Sequence, residues 1–233
     1  MTSELRRLGL LGGTFDPVHY GHLDAAQAAF TALRLDAVQL VPAHDPPHRR
    51  EDPRGSAFHR FALVALAIDA YPWMRASDRE LRRTGPSYTI DTLRALHGEG
   101  WQPSQLFFIL GTDAFAEIAS WRSYPDVLDA ANFAVIARPG TATNSAFACV
   151  PDVARRLQPA GISTLDAGKT WVFPVEARTR DVSSTLIRAR LTGHERIDDL
   201  VPAAVARHIL AHRLYGAVDD LHGKDERITS QGA

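Results

Sequence analysis

Cysteine and lysine are nearly absent from this chain of 233 residues. The single cysteine, Cys149, excludes an internal disulfide and fits a reducing compartment. Only two lysines, Lys169 and Lys224, stand against 24 arginines. Mechanisms that need a dedicated lysine are disfavoured, and no GxxxxGK[ST] loop is present. Any phosphate clamp must rest mainly on arginine, whose planar fork suits phosphate oxygens and stays charged. Long apolar runs are missing too: the longest, Phe61–Ile68, falls far short of the ~18–20 residues that span a bilayer. The opening MTSELRRLGLLGG has no hydrophobic signal-peptide core, because glycines interrupt its apolar stretch. A net charge of −1 offers no bulk attraction to nucleic acid or anionic lipid. These absences lead us to expect a cytoplasmic protein without nucleic-acid or membrane partners.

What is present resembles an average globular chain, with 45% hydrophobic and 23% charged residues. Apolar runs alternate with helical patterns. Strands are expected at Leu8–Leu11, Ala37–Pro42, Gln105–Leu110, Asn132–Gly140 and Thr170–Val175. Helices are expected at His22–Leu33, Phe58–Ala70, Ser87–Gly100, Ser183–Leu191 and Pro202–Tyr215, the third and fourth opening on serine caps. This alternation predicts an α/β, Rossmann-like, doubly wound and mostly parallel sheet with helices on both faces. One domain is expected over 1–215, with the helices of 184–215 as a small subregion. Residues 141–169 read as an irregular excursion around one short helix, and 216–233 as a polar, disordered tail.

In such a sheet, ligands bind beyond the carboxyl ends of the strands, where strand order reverses. The unusual polar segments all follow expected strands: GGTFDPVHYGH after the first, PAHDPPHR after the second, GTDAF after Gln105–Leu110 and VSSTLIR after the last. They should therefore converge on one rim. Gly12 and Gly13 would let the chain turn off the strand and let a ligand approach the backbone. His19 and His22, three residues apart, share one face of a helix start whose N–H groups already favour an anion. Two imidazoles there add donors to phosphate oxygens. The same spacing also fits a capped helix with incidental histidines or an Hx₂H metal site, but no Cys, Asp or Glu cluster stands at ligand spacing to complete a zinc sphere.

The segment His19-Tyr20-Gly21-His22 resembles the H-x-G-H signature of the nucleotidylyltransferase superfamily, and VSSTLIR its second motif, with Val182 where isoleucine is usual. With PPHR, PSYTIDTL, GTDAF and SW added, the chain looks like the bacterial nicotinate-nucleotide adenylyltransferases from about Leu8 to Tyr215. That resemblance implies transfer of the adenylyl group of ATP to nicotinate mononucleotide, with release of pyrophosphate, in NAD biosynthesis. The nucleophile would be a phosphate monoester whose second pKa lies near ~6, so no general base is needed. It implies His19, His22 and Arg188 as catalytic residues, with Arg188 on the β/γ-phosphates. ATP would further be bound by Gly12, Gly13, Thr14, Arg49, Asp113, Ser184 and Thr185, with Asp113 on the ribose and His48 a weaker candidate. Tyr88 and Thr89 would meet the nicotinate carboxylate, and Trp121 would stack on the pyridine ring. Mg²⁺ would arrive on the ATP phosphates rather than on protein ligands, and a homo-oligomer is compatible with all of this.

Rival readings remain at this level. Pantetheine-phosphate adenylyltransferase and cytidylyltransferases share the phosphate motifs, although the former lacks PSYT and GTDAF…SW. A metal hydrolase could be built from His19, His22, His44 and His48. A nucleotide-binding regulator would keep the fold and lose turnover.

Overall fold

Leu8, Leu10 and Leu11 are buried because the run they open becomes the central strand of the sheet. A computed structural model describes residues 6–46, 53–137, 147, 150, 153–160 and 168–218. Strand β1, Leu8–Gly13, pairs in parallel with β2, Ala37–Pro42, on one side and with β4, Leu106–Gly111, on the other. Strands β3, Met74–Ala76, β5, Asn132–Ala137, and β6, Val172–Glu176, complete an all-parallel sheet in the order β3-β2-β1-β4-β5-β6. The order reverses between β1 and β4.

Side chains alternate across the sheet with the two-residue period of a strand. Phe107 and Ile109 face a core layer built with α1, Tyr20–Leu33, α2, Ala57–Ala67, α5, Ser184–Thr192, and α6, Ala203–Ala211. Leu106, Phe108 and Leu110 face the opposite layer with α3, Thr89–Gly98, and α4, Thr112–Ala116. Helix α1 turns Leu23, Ala26, Ala29 and Leu33 onto the sheet, and its small alanines allow a close approach. Asn132 is fully buried, yet its amide donates to the carbonyls of Ser104 and Leu106 and its oxygen accepts from the Trp171 N–H, so the starts of β4, β5 and β6 are pinned by satisfied bonds.

Expectation and structure differ chiefly at β3 and at two helix ends, and α2 stops at Ala67 instead of Ala70. Strand β3 has only three residues and no alternating pattern of its own; pairing with β2 makes it a strand. Ser87 does not cap α3: its hydroxyl accepts from the His44 N–H, and the helix starts two residues later with Tyr88 in the capping position. Helix α6 stops at Ala211, because Arg213 and Tyr215 take left-handed backbone, φ 48° and 59°. The serine cap of α5 is as expected, with the Ser183 hydroxyl accepting from Leu186 N–H at 3.1 Å. Ala217, at the start of the expected polar tail, is buried, while residues 219–233 lie outside the described ones.

Candidate active site

A cleft of about 510 Å³ opens beyond the carboxyl ends of β1 and β4, where the strand order reverses. Gly12, His19 and His22 line one wall, Thr112 and Asp113 another, and Thr179, Arg180 and Val182 a third. A larger cleft of about 760 Å³ lies at the opposite rim, between Gln102 and Trp171, and contains none of the motif residues.

Gly12 and Gly13 remain extended as the last residues of β1; the turn is made by Phe15, at φ 51°, and Pro17. The glycines serve close approach instead of the turn. A Cβ on Gly12 would stand 3.0 Å from the Phe108 ring, and one on Gly13 3.1 Å from that of Phe15. The expected turning role thus passes to Phe15, while Gly12 still presents bare backbone to the cleft.

The two histidines stack at 3.7 Å between ring centroids, and the edge of His22 meets Phe15 at 4.9 Å. Nδ1 of His22 accepts the main-chain N–H of His19 at 3.2 Å, so in the neutral ring the proton sits on Nε2. Burial pushes the pKa of His19 down to about 4, against the pull of the Asp24 carboxylate. Burial, then the neighbouring His19, pushes His22 well below its ordinary value. Both rings are therefore neutral N–H donors at pH 7, able to bond a phosphate oxygen with no charge to neutralise first.

The remaining motif residues serve the walls. Ser184 donates to the carbonyl of Pro17 at 2.8 Å, and Arg188 donates to the carbonyl of Asp16 at 2.7 Å and to the hydroxyl of Thr185 at 3.1 Å. These three residues of the second motif are thereby brought against the turn of the first, beside the 510 Å³ cleft rather than in its lining. Thr14 offers its carbonyl to Arg60. Asp113, exposed in the first turn of α4, lines the cleft. Tyr88 and Thr89 form the start of α3, with the Arg122 guanidinium 4.6 Å over the Tyr88 ring. Trp121 sits half-buried, edge-on to Phe108 at 5.8 Å, and is not part of the same cleft. His48 and Arg49 lie outside the described residues. His44 is held by its backbone to Ser87. Among the described residues no three His, Cys, Asp or Glu side chains surround a common metal position.

Three polar residues of the site escape the sequence reading. Arg60, fully buried on the apolar stripe of α2 with Leu63, Val64 and Ala67, donates to the carbonyls of Thr14 at 2.8 Å, Ala43 at 2.7 Å and Gly55 at 3.1 Å. A charged residue on an otherwise apolar helix face was the legible signal. Asp16, 1% exposed, accepts the N–H groups of Arg54 and Gly55. Arg180 grips Asp24 through Nε at 3.0 Å and Nη2 at 2.8 Å and lies 3.6 Å over the Tyr20 ring. Burial alone would raise the Asp24 carboxyl, but the bonds and charge of Arg180 outweigh it and hold it below the usual range.

Residues 10–190 match the cytidylyltransferase-like family model. A protein of Chromobacterium violaceum named probable nicotinate-nucleotide adenylyltransferase is 39% identical over 211 residues, covering 90% of this chain and 98% of the relative. A Chromohalobacter salexigens protein of the same name is 42% identical over 212 residues, covering 90% and 95%. Among solved structures, the Plasmodium falciparum nicotinic acid mononucleotide adenylyltransferase complexed with NaAD superposes with a TM-score of 0.66 at 16% identity, covering 91% of this chain and 98% of the other, a likeness of fold.

Proposed function

The chain belongs to the cytidylyltransferase-like family, and we propose that it is a nucleotidyltransferase that moves the adenylyl group of ATP onto nicotinate mononucleotide, giving nicotinate adenine dinucleotide and pyrophosphate. The observation that carries this reading is the pair of neutral, stacked histidines at a helix start inside the cleft of the strand-order reversal. Neutral N–H donors at a helix N-terminus are suited to a phosphate whose charge grows during reaction.

In this reading an oxygen of the acceptor phosphate forms a bond to the α-phosphorus of ATP. The bond from that phosphorus to the β-bridging oxygen breaks, and pyrophosphate leaves with the electron pair. The acceptor phosphate is largely dianionic at neutral pH and needs no general base. His22 Nε2–H and His19 bond the α-phosphate region, while Gly12, Gly13 and Thr14 let it lie against the backbone. Arg188 carries the β/γ end, supported by Ser184 and Thr185 at the second helix start, Arg49 adds to ATP binding, and Asp113 accepts from the ribose hydroxyls. Tyr88 and Thr89 take the nicotinate carboxylate at the start of α3, and Trp121 offers a face to the pyridine ring. Mg²⁺ enters as part of the substrate, on the ATP phosphates; a cleft with one lining carboxylate, Asp113, and two imidazole donors suits that arrangement better than a protein-held ion. A cytoplasmic location completes the proposal, which is compatible with a homo-oligomer; among the described residues no helix is long and apolar enough to cross a membrane.

The test is a pyrophosphate-release assay with ATP or CTP and three acceptors: nicotinate mononucleotide, nicotinamide mononucleotide and phosphopantetheine. Turnover with ATP and nicotinate mononucleotide is expected. Faster release with phosphopantetheine or with CTP would move the chain to another branch of the family, and binding of ATP without turnover would make it a regulator.

A further inference from the structure

Among the described residues two carboxylates are buried: Asp16 in the phosphate turn, and Glu80 in the loop between β3 and α3, which lines neither cleft. A buried carboxylate is costly unless its oxygens are satisfied. Two hydroxyls satisfy Glu80. Thr92, 1% exposed and one turn into α3, donates its hydroxyl to Glu80 Oε1 at 2.6 Å and accepts from Arg83 Nη2 at 2.6 Å. The Ser87 hydroxyl accepts the His44 N–H at 2.9 Å and gives its own proton to the Glu80 carboxylate. Arg83 supplies counter-charge, with Nη2 3.8 Å from Oε1, and its main-chain N–H donates to the Glu80 carbonyl at 3.2 Å. Burial pushes the Glu80 carboxyl pKa up, against the pull of Thr92, Ser87 and Arg83.

The two hydroxyls flank the start of α3. Ser87 immediately precedes Tyr88, and the Thr92 N–H closes the first turn on the Tyr88 carbonyl at 3.4 Å. One carboxylate thus grips the chain on both sides of Tyr88 and Thr89. Its grip also reaches the phosphate turn. The Ser87 N–H donates to the Asp45 carbonyl at 2.8 Å, the His44 carbonyl accepts from Arg60 Nη2 at 3.4 Å, and Arg60 holds the carbonyl of Thr14. The plain reading is a satisfied residue that only keeps its loop closed. Stability alone is a poor reason for it, because apolar residues can replace a buried ion pair at no loss. What a carboxylate adds is direction: it accepts only, so both hydroxyls must point their protons at it.

We propose that Glu80 is a positioning residue for the acceptor, fixing the start of α3 through Thr92 and Ser87 so that the N–H groups at Tyr88 and Thr89 meet the carboxylate of the mononucleotide. The inference rests on nicotinate mononucleotide being the acceptor. Glu80 touches no substrate and acts through the backbone it holds.

The experiment measures pyrophosphate release by the full chain, with ATP and the mononucleotide varied in turn, for the wild type, Glu80→Gln, Thr92→Val and Thr92→Ser. Glutamine keeps the size of Glu80 but turns an NH₂ towards a hydroxyl that needs an acceptor. Valine removes the Thr92 hydroxyl at similar volume, and serine returns it. In Glu80→Gln and Thr92→Val, KM for nicotinate mononucleotide should rise about tenfold, the scale of one hydrogen bond, while KM for ATP stays within about twofold. Thr92→Ser should behave as wild type. The preference for nicotinate over nicotinamide mononucleotide should fall about fivefold in the same two variants, since misaimed donors lose a contact that the amide never makes in full. A merely structural Glu80 would lower Tm and the active fraction, and so kcat, with both KM values and the acceptor preference unchanged. That result, or an equal rise in both KM values, overturns the proposal. If Glu80→Gln does not fold, the two Thr92 variants decide by the same criteria. A wild type that turns over other substrates but not nicotinate mononucleotide removes the functional reading and the proposal with it, before any variant is made.

Discussion

Arg188 donates from Nη1 to the main-chain carbonyl of Asp16 at 2.7 Å, joining the two phosphate motifs across 172 residues of sequence. A guanidinium so held is already oriented before any ligand arrives, at little further entropic cost. In Arg188→Lys the ammonium cannot reproduce the fork that reaches both Asp16 and Thr185. The expected outcome is a rise of roughly 10-fold in KM for ATP, little change in KM for the mononucleotide, and a Tm lower by a few degrees, near the ~2–4 °C per kcal/mol typical of this size. Steady-state kinetics with each substrate varied in turn checks it. An equal rise in both constants would confine Arg188 to the frame.

Replacing His22 separates its two nitrogens. Nδ1 accepts the His19 N–H, so His22→Ala would strand a partly buried donor at a cost of ~1–3 kcal/mol. Asparagine can offer an oxygen close to the Nδ1 position but has nothing at Nε2. His22→Asn should therefore melt near wild type and lose about 10²-fold or more in kcat, the scale of a lost oxyanion donor. Turnover near the wild-type rate in a folded variant would remove His22 from the chemistry.

Arg60→Met is expected to be among the most damaging single changes outside the cleft. It leaves the buried carbonyls of Thr14, Ala43 and Gly55 without their donor. At ~1–3 kcal/mol for each unsatisfied group, the loss should exceed about 3 kcal/mol in urea denaturation. Arg60→Lys, which can serve one or two of them, should fall in between. A denaturation midpoint unchanged by the methionine would show that water replaces the guanidinium.

Stability should depend on pH through His19. Its folded-state pKa of about 4 lies below the 6.5 of an unconstrained histidine. Between those values the unfolded chain binds a proton that the folded chain refuses, so this contribution is present above pH 6.5, declines as pH falls towards 4 and is then constant. Compared with His19→Asn, the wild type should lose on the order of 1–3 kcal/mol more over that window, measured by urea midpoints from pH 7 to 4. Parallel curves for the two proteins would mean that His19 titrates normally.

Acceptor choice follows from the start of α3. Tyr88 caps it with no side-chain bond, leaving the first N–H groups of the helix available to an anion. A carboxylate accepts from such donors with either oxygen, whereas a carboxamide turns an NH₂ towards one of them. We expect kcat/KM to favour nicotinate over nicotinamide mononucleotide by about 10²-fold or more. Trp121→Ala should weaken both acceptors with little change in their ratio. Comparable efficiency with the two acceptors would rule out a donor-lined pocket.

Much of the architecture was legible because it is periodic. The strand Ala37–Pro42 announces itself by apolar residues broken only by Gln39, the run Leu106–Gly111 by continuous apolar residues, and the Ser183 cap by its place before a helical pattern. Strand β3 was not legible, since three residues acquire strand geometry only from the β2 edge beside them. Ser87 looked like a cap because serine satisfies orphan N–H groups, but the nearer unsatisfied donor was His44.

The sequence alone determined which donors this protein can bring to a ligand. Scarce lysine and cysteine, paired histidines after the first strand and a serine- and arginine-bearing helix after the last favour phosphate held by imidazole and guanidinium groups, with a metal hydrolase as the rival use of the same histidines. Local pattern is enough for that, because residue type and short-range spacing decide which groups can donate and whether they share a helix face. Only the tertiary structure decided how those groups are held. The tautomer of His22 depends on the His19 backbone, and the neutrality of both rings on burial by residues from several elements. The position of the phosphate turn depends on Arg60 and Arg188, which bind main-chain carbonyls distant in sequence. A backbone carbonyl is the same in every residue, so no pattern of side chains can disclose which one a buried guanidinium will find.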